Sequence, residues 1–323
     1  MVNLSLPSVS VILPLLNEEQ NLQDCIASIR NQDYPGEIEI ILALGPSKDK
    51  TNEIAKSLAD QDNRIKLVEN PTGQTAVGLN LAIAKSKFEI ICRIDGHSEI
   101  ESSYIKTAVE IMQKHKAVNV GGLMYADSNK GLQRVIALAM RSKLGVGPSK
   151  FHTGGEAGEV DTVYLGVFKR DALLAVGGFD EHFTRAQDWE LNYRLRKNGG
   201  RIYFDPRLTV TYRPRRSFKA LAKQYFEYGR WRRVVSRTHK GTINLRYLAP
   251  PITLIGVILS IILGYTHPIL LAPALVYFLF LILGSFMIGK SFKEVLYLPM
   301  ILATMQMSWG AGFITSPKRL ANS

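Results

Sequence analysis

Short apolar runs alternate with amphipathic stretches in the first third of the chain, from Val9 to about Gly122. The apolar runs predict strands at Val9–Leu13, Ile38–Leu44, Ile65–Val68 and Phe88–Ile94. The amphipathic stretches predict helices at Gln20–Ile29, Thr51–Ala59, Thr75–Ala84 and Tyr104–Lys114. Strands that alternate with helices form a mostly parallel sheet covered on both faces, so we expect a Rossmann-like α/β domain.

In a sheet of this kind, ligands bind beyond the carboxyl ends of the strands. The loops expected there are Pro14–Glu19, Gly45–Lys50, Pro71–Gln74 and Asp95–Glu99. Residues from Tyr125 to about Tyr212 are less regular. They predict a helix near Leu132–Arg141, a Gly-rich loop from Gly145 to Gly158, a strand at Val160–Val167, a helix near Asp188–Lys197, and strands at Arg201–Phe204 and Leu208–Tyr212.

The charge and hydropathy of the chain are concentrated toward its C-terminal end. Of the formal net charge of +12, the segment Arg213–Arg246 carries eleven Lys and Arg residues against Glu227 alone. Within it, Ser217–Thr238 predicts an amphipathic helix at a membrane surface. A basic block directly before an apolar run favours anionic lipids over nucleic acid, and a solvated basic surface is the alternative.

Two uncharged apolar runs follow, about Leu248–Tyr265 and Pro268–Ile288. Each approaches the roughly 20 residues that cross about 30 Å of hydrocarbon. A third run, Val295–Ile314, contains polar residues, and its topology stays open. The basic block places the cytoplasmic side before the first span, which predicts a multi-pass protein of the cell membrane.

Two cysteines, Cys25 and Cys92, lie in a predicted helix face and a predicted buried strand. We therefore expect no disulfide and a reducing compartment. The apolar run Val9–Leu16 has no basic residue before it, and Glu18 and Glu19 follow it, so it predicts a first strand and not a signal peptide. The catalytic domain is accordingly expected in the cytoplasm.

Four groups of residues can carry chemistry. The first is the turn Pro14–Glu19, where a strand leads into a helix whose free N–H groups suit an anionic nucleotide, although many α/β proteins begin this way. The second is Asp95 and His97 after a buried strand, which are competent ligands for Mn²⁺ or Mg²⁺. Its alternative is an Asx-turn at Asp95 with His97 merely exposed.

The third group is the Gly-Gly-Phe-Asp turn at Gly177–Asp180 followed by Asp188 and Trp189. Asp188 at a helix start is either an N-cap or a carboxylate that deprotonates an acceptor hydroxyl. The fourth group is Arg230 with Trp231, which suits either a diphosphate with a sugar or lipid, or plain membrane anchoring.

In this order the groups resemble the family 2 glycosyltransferases of GT-A fold, and most closely the membrane-anchored subgroup typified by succinoglycan transferases. The resemblance covers roughly Ser8 to Trp231 and rests on the strand-Pro-x-x-Asn-Glu-Glu opening, an Asp-x-Asp-like site, Gly-Gly-Phe-Asp and an Asp-Trp-Glu region. It implies that Asp188 is the catalytic base and that Asp95 contacts a divalent metal and the diphosphate.

The resemblance defines a full set of candidate site residues. Those expected to bind the nucleotide sugar are Pro14, Asn17, Glu18, Ser47, Asp49, Gly73, Arg93 and Asp95. The metal, Mn or Mg, is expected at Asp95 and His97. Those expected to contact the acceptor or the diphosphate are Gly178, Phe179, Trp189, Arg230 and Trp231.

Two departures from the family pattern matter. The acidic pair common after the second strand is absent from Ala43–Asp49, which leaves the base of the nucleotide open. The metal motif ends in His97 where Asp is commoner, which shifts the expected preference toward Mn²⁺.

We therefore expect an inverting glycosyltransferase that moves a sugar from a nucleotide-sugar donor to a lipid-linked saccharide or glycolipid in cell-surface polysaccharide synthesis. The expected domains are residues 1–212 (GT-A catalytic domain), 213–247 (basic interfacial segment) and 248–323 (two or three transmembrane helices). The expected partners are the donor, the acceptor and anionic membrane lipids, with no nucleic acid. The alternatives are a catalytically degenerate membrane-bound subunit of an assembly complex, or a nucleotidyltransferase.

Overall fold

The computed structural model of the chain describes residues 6–129 and 131–321. These residues form two compact units, one of residues 6–125 and 154–212, the other of residues 126–129, 131–153 and 213–321. The segment 126–153 therefore packs with the C-terminal part of the chain. The expected three-part division stays a prediction, and each unit is described separately below.

The described residues contain nine strands and thirteen α-helices. The strands are β1 (Val9–Leu15), β2 (Ile38–Leu44), β3 (Ile65–Glu69), β4 (Ile90–Arg93), β5 (Glu99–Ile100), β6 (Asn119–Ala126), β7 (Gly158–Glu159), β8 (Tyr164–Lys169) and β9 (Ile202–Tyr212). The helices are α1 (Leu22–Arg30), α2 (Thr51–Gln61), α3 (Thr75–Lys85), α4 (Tyr104–His115), α5 (Gly131–Met140), α6 (Lys143–Val146), α7 (Lys150–Thr153), α8 (Arg170–Ala175), α9 (Gln187–Lys197), α10 (Phe218–Thr238), α11 (Leu245–Gly264), α12 (Ala272–Ile288) and α13 (Phe292–Thr315).

The first unit is built on one mixed sheet with the strand order β3-β2-β1-β4-β8-β6-β9-β5, in which β7 also pairs with β9. The strands β3, β2, β1 and β4 are parallel, as predicted. The strands β5 to β9 pair in an antiparallel manner. An α/β fold with a parallel half is thereby confirmed, and the sheet is extended by an antiparallel half.

The parallel strands are buried on both faces because helices cover both sides of the sheet. Alternate residues of β1, including Val11 and Leu13, join one core with α1, α2 and α4. The intervening residue Ile12 is equally inaccessible, and α3 contacts β1 and β2. Strands covered on two sides read as continuous apolar runs, which is why their sequence pattern predicted them well.

Two prolines lie inside strands where the sequence suggested a turn or a break. Pro14 was expected in the turn after β1, but β1 continues to Leu15 and pairs Pro14 with Ala43 of β2. The pairing of β1 with β4 ends at Ile12. Pro14, which has no N–H, therefore interrupts no hydrogen bond between β1 and β4.

Pro206 lies within β9, which is one strand and not the two that were expected. Within the described residues, β7 pairs with Tyr203 and Phe204, and β5 pairs with Val210 and Thr211. The proline lies between these two paired segments, where its missing N–H interrupts neither of those ladders.

The strand expected at Val160–Val167 begins only at Tyr164. The N–H of Val160 instead donates to the carbonyl of Ile202 at 3.0 Å and so extends the pairing of β7 with β9. The expected Gly-rich loop before it also contains α6 and α7. Both cysteines are buried and unpaired, as predicted.

Within the second unit, α13 packs against α5, α10, α11 and α12. Glycines allow the backbones of α10 and α13 to approach closely. A Cβ at Gly229 would overlap the carbonyl oxygen of Trp309, and a Cβ at Gly312 would overlap that of Phe226. Small residues at such crossings permit close contact between helices, so the two glycines define the crossing of α10 and α13.

Two helices of the described residues are long and apolar enough to cross a membrane, Leu245–Gly264 and Pro268–Ile288, the second of which includes α12. Their apolar windows have mean hydropathies of 2.0 and 2.4, and 22% and 17% of each window is buried inside the protein. A core helix of a soluble protein would be mostly buried. The third apolar run forms α13, which is long enough, with 24 residues, but does not meet the same criterion of composition.

A matched pair of glycine substitutions tests the crossing of α10 and α13. Gly229→Ala should lower the free energy of unfolding by about 1–3 kcal/mol, because its methyl group overlaps the α13 backbone. Gly256→Ala in α11 should cause no loss, since no atom lies within 4 Å of the added methyl group. Thermal unfolding of the detergent-solubilised chain measures both variants, and equal behaviour would contradict the proposed role of Gly229.

Candidate functional site

The parallel strands β1, β2, β3 and β4 all end at the same edge of the sheet. The loops that follow them begin near Leu16, Gly45, Asn70 and Ile94. These are the four loops that the sequence placed at the carboxyl edge. In parallel sheets this edge is where ligands bind, so the description of the site begins here.

The loops after β1 and β2 are joined by reciprocal hydrogen bonds. The backbone N–H of Asn17 donates to Ser47 Oγ at 3.1 Å, and the backbone N–H of Lys48 donates to Asn17 Oδ1 at 2.8 Å. Asn17 has a φ of 58°, a left-handed conformation that Asn tolerates better than most residues. Two residues expected at the nucleotide therefore contact each other and fix the shape of this edge.

Asp49 strengthens the same connection. Its carboxylate accepts hydrogen bonds from the hydroxyl and N–H of Thr51 at 2.6 and 3.1 Å, and from the N–H of Glu19 at 3.2 Å. Desolvation raises the pKa of this carboxyl, but these hydrogen bonds outweigh it and hold the pKa below its usual value. Asp49 thus stays ionised and orders the loop.

Gly73, in the loop after β3, has a φ of 66°. A Cβ at this position would lie 3.0 Å from the ring of Pro46, and a Cβ at Gly45 would lie 2.8 Å from the carbonyl oxygen of Leu15. The loops after β1, β2 and β3 therefore approach one another closely, which only residues without a side chain allow.

A buried guanidinium joins two carboxylates at the end of β4. Arg93, whose side chain is 4% exposed, donates from Nε and Nη2 to Asp95 Oδ1 at 3.2 and 3.1 Å. Its Nη1 donates to Asp188 Oδ1 of α9. The carboxylates of Asp95 and Asp188 are 19% and 25% exposed, so both are accessible from outside.

This geometry contradicts the two structural alternatives for these aspartates. Ala186, in a left-handed conformation with a φ of 62°, is the N-cap of α9, so Asp188 does not cap the helix. The carboxylate of Asp95 bonds to Arg93 and does not form an Asx-turn; the turn there is closed by the N–H of Ser98 and the backbone carbonyl of Asp95.

The electrostatics of the cluster set the protonation of Asp188. Burial raises the pKa of Asp188, the attraction of Arg93 lowers it, and the charge of Asp95 raises it further, with a net rise. For Arg93, desolvation lowers the pKa, but Asp188 and Asp95 more than offset it, so the guanidinium stays charged. Asp188 is therefore a stronger base than an exposed aspartate.

Asp95 and His97, the expected metal ligands, follow β4 directly. His97 Nδ1 donates to Glu18 Oε1 at 2.8 Å, a contact of the kind that orients metal-binding histidines. Both Arg93 bonds to Asp95 end on Oδ1, and within the described residues no hydrogen bond to Oδ2 is recorded. This chemistry fits a divalent cation. No group of three or more His, Cys, Asp or Glu side chains able to hold a metal occurs in residues 6–129 and 131–321.

Asn80 of α3 holds the Gly-Gly-Phe-Asp turn. Its Oδ1 accepts the N–H of Phe179 and its Nδ2 donates to the carbonyl of Phe179, both at 2.8 Å. Gly178 has a φ of 72°, and a Cβ there would lie 2.6 Å from Asn80 Oδ1. Phe179 is buried, 5.6 Å from the guanidinium of Arg93 to the ring centroid. The ring of Phe179 therefore packs near the guanidinium of Arg93.

Among the other expected acceptor residues, Trp189 stacks on Tyr193 with 5.6 Å between the ring centroids. Arg230 and Trp231 belong to α10 in the second unit, where Arg230 pairs with Glu227 at 3.3 Å and Trp231 is 5% exposed. Their contribution to the site stays a prediction.

Sequence reasoning missed three residues of this region. Asn80 gives no motif signal, because its partner is 99 positions away. Leu165 has a φ of 58° inside β8, at an irregularity in the pairing of β6 with β8. Such a conformation is rare for a bulky residue and such bulges redirect side chains. For the neighbouring Tyr164, burial and then the negative charge of Asp95 raise the pKa of the hydroxyl well above its usual value.

Comparison with known proteins places the chain in a family. The succinoglycan biosynthesis protein ExoA of Rhizobium meliloti is 33% identical over 242 residues, which cover 74% of this chain and 73% of that protein. The dolichyl N-acetyl-alpha-D-glucosaminyl phosphate 3-beta-D-2,3-diacetamido-2,3-dideoxy-beta-D-glucuronosyltransferase of Methanococcus voltae is 30% identical over 255 residues, covering 75% and 77%.

Among solved structures, the mannosyltransferase PcManGT from Pyrobaculum calidifontis, in complex with GDP-Man and Mn²⁺, has a TM-score of 0.61. The match covers 96% of this chain and 87% of that one at 18% identity, so it concerns the fold. The Glycosyl transferase family 2 model matches residues 10–177. The resemblance to this family is thus confirmed, and the nucleotidyltransferase alternative is set aside. The chain belongs to glycosyl transferase family 2 and is a glycosyltransferase.

Proposed function

We propose that this chain is an inverting glycosyltransferase that moves a sugar from a nucleotide-sugar donor to a lipid-linked saccharide or glycolipid. One observation carries the proposal: Arg93 holds Asp95 and Asp188 together at the carboxyl edge of the parallel strands. This single displacement needs a carboxylate that would hold a cation for the leaving diphosphate, and a second carboxylate that takes the proton of the acceptor hydroxyl.

In this proposal the interlocked loops hold the nucleotide. Asn17, Glu18, Ser47, Asp49 and Gly73 belong to the loops after β1, β2 and β3. The loops after β1 and β2 are joined by hydrogen bonds from the N–H of Asn17 to Ser47 Oγ, from the N–H of Lys48 to Asn17 Oδ1 and from the N–H of Glu19 to Asp49 Oδ2. A nucleotide entering a prearranged edge spends little binding energy on ordering it. The relative solved with GDP-Man supports a nucleoside diphosphate sugar as donor.

Asp188 is the proposed base. Its raised pKa gives the carboxylate a higher proton affinity, and the attraction of Arg93 limits that rise. The carboxylate is one-quarter exposed and can reach an acceptor. It takes the proton of the acceptor hydroxyl as the oxygen bonds to the anomeric carbon, and the bond from that carbon to the diphosphate breaks with inversion.

Asp95 and His97 are the proposed holders of a divalent cation. When bound, the cation would neutralise the negative charge that develops on the leaving diphosphate. The bond from His97 to Glu18 is the kind of support that ligating histidines receive, and an imidazole ligand favours Mn²⁺ over Mg²⁺. The Mn²⁺ of the solved relative supports the same cofactor class.

The acceptor is proposed to be membrane-bound. The two candidate spans supply an anchor, and the named relatives act in succinoglycan biosynthesis and on a dolichyl-linked sugar phosphate. Gly178 and Trp189 are the proposed contacts to the acceptor or the diphosphate, and buried Phe179 is proposed to act by packing near Arg93. A multi-pass protein with its catalytic domain in the cytoplasm follows from the basic block before the first span.

Asp188→Asn tests the base. The variant should lose about 10²–10⁴-fold in transfer rate, because base catalysis contributes about that factor. Asp171→Asn is the matched control. Asp171 lies in the first turn of α8, as Asp188 lies in the first turn of α9, and the Asp171 side chain is exposed. Transfer is measured by release of nucleotide in the presence of acceptor, with thermal unfolding to verify the fold. Near-normal transfer by Asp188→Asn would exclude it as the base.

Arg93→Met tests the electrostatic control of that base. Without the guanidinium, burial and the charge of Asp95 act unopposed, so the pKa of Asp188 rises. A base must be deprotonated, so the acidic limb of kcat/KM should move to higher pH. Arg93→Lys keeps the charge and should keep the limb close to the wild-type position. An unchanged profile in Arg93→Met would mean that Arg93 acts through packing on Phe179 alone.

A panel of nucleotide sugars identifies the donor. We expect the detergent-solubilised chain to release nucleotide from one donor with Mn²⁺ or Mg²⁺, and to lose this activity in EDTA, because the leaving diphosphate needs its charge neutralised. Release from a single donor names the nucleotide that the Ala43–Asp49 loop accepts. No release from any donor, with bacterial lipid extract as acceptor, would favour a catalytically degenerate subunit.

A further inference from the structure

The second unit contains a cavity along one face of α5. Its volume is about 200 Å³, and its lining includes Arg134 and Leu138, one turn apart on α5, and Arg141, directly after that helix. Asp127, Ser128 and Lys290 are among the other lining residues. We call this the α5 pocket. Ligand pockets for drug-sized molecules measure about 300–1,000 Å³, so the space suits a headgroup better than a whole nucleotide sugar.

The charge of the α5 pocket favours an anion. Arg134, Arg141 and Lys290 line it together with one carboxylate, Asp127. Arg134 is balanced from outside by Glu294, whose Oε1 accepts its Nε at 2.8 Å. Among the lining residues alone, the cations outnumber the carboxylates three to one. A phosphodiester carries one negative charge, and Arg with Lys is a common pair for binding phosphate.

Glu294, near the start of α13, fixes the side chain of Arg134 and the backbone of Lys290. Glu294 Oε2 accepts the backbone N–H groups of Lys290 and Ser291 at 2.7 and 3.1 Å, and Ser291 Oγ accepts the N–H of Glu294 at 3.4 Å. This capping box and the Arg134 bond share one buried carboxylate. Arg134 and the backbone of Lys290 are therefore held together before any ligand arrives.

The position of the pocket in the chain points to a lipid. Lys290 lies two residues beyond Ile288, where the candidate span Pro268–Ile288 ends. On that span Phe286 and Met287 are 66% and 90% exposed, as expected for a surface that faces hydrocarbon. A cation directly after a span lies at the level of the lipid headgroups. Leu138 supplies an apolar wall beside the cations.

From these observations we propose that the α5 pocket binds the phosphate headgroup of an anionic membrane lipid. None of its residues belongs to the Arg93–Asp95–Asp188 cluster. The inference uses the membrane anchoring of the proposed function but not the transfer chemistry, so an inactive Asp188 variant should bind the lipid unchanged.

Lipid binding is measured on the full chain in detergent at about 0.15 M salt, where weak surface charge effects are screened. The probes are dioctanoyl phosphatidylglycerol, dioctanoylglycerol without phosphate, and inorganic phosphate. We expect saturable binding of the phosphatidylglycerol alone. Saturable binding of inorganic phosphate with the same affinity would overturn the lipid as ligand, and absence of phosphatidylglycerol binding would overturn the site.

Arg141→Gln with Lys290→Gln removes two cations of the pocket and should weaken binding by about tenfold or more, the loss expected for two charge-assisted contacts. Lys143→Gln with Lys293→Gln is the matched control, since both lysines are exposed in the same unit and do not line the pocket. Equal losses in both double variants would overturn the proposal. If the double variant does not fold, Lys290→Gln alone is measured, because Lys290 is exposed. An unchanged affinity of this variant for phosphatidylglycerol would overturn the site.

Discussion

The candidate site depends on one buried cation. Arg93 is almost inaccessible, and a guanidinium in such a place is tolerated only when carboxylates compensate its lost hydration. Asp95 from the end of β4 and Asp188 from α9 provide that compensation. The electrostatic requirement of one strand residue thus brings together two chain segments that are 95 residues apart, and the same contact limits the rise that burial causes in the pKa of Asp188.

The rest of the sheet edge is arranged around this cluster by local means. Asn80 forms hydrogen bonds that hold the turn at Phe179, and the Phe179 ring lies 5.6 Å from the guanidinium of Arg93. Glu18, in the loop after β1, forms a hydrogen bond with His97, in the loop after β4. The hydrogen-bonded loops after β1 and β2 therefore extend to the residues that follow β4. A polar network with this many satisfied members gives the edge one defined geometry.

The sequence predicted the parallel half of the fold and the types of residue in the site, but not their connections. β2 and the start of α2 at Thr51 were predicted to the residue, because continuous apolar runs and a following amphipathic pattern identify such elements directly. Arg93 was predicted as a nucleotide-sugar contact, but its bond to Asp188 and the role of Asn80 were not predicted, since the partners lie 95 and 99 positions away. The conformation of Leu165 was equally hidden, because no residue preference announces a leucine with a positive φ.

The basic segment before the first candidate span shows why a charge count overstates the charge offered to a membrane. Arg232 is 6% exposed and lies 3.8 Å over the ring of Tyr247, and Arg237 donates to the carbonyls of Ser316 and Pro317 at 3.0 Å. These guanidinium groups hold α10 to the elements around it. The charges that precede α10 or lie early in it are exposed, and so are Lys240 and Arg246 after the helix. Attraction to anionic lipid is therefore concentrated at the two ends of α10, and the partly buried charges of its second half stabilise the unit itself.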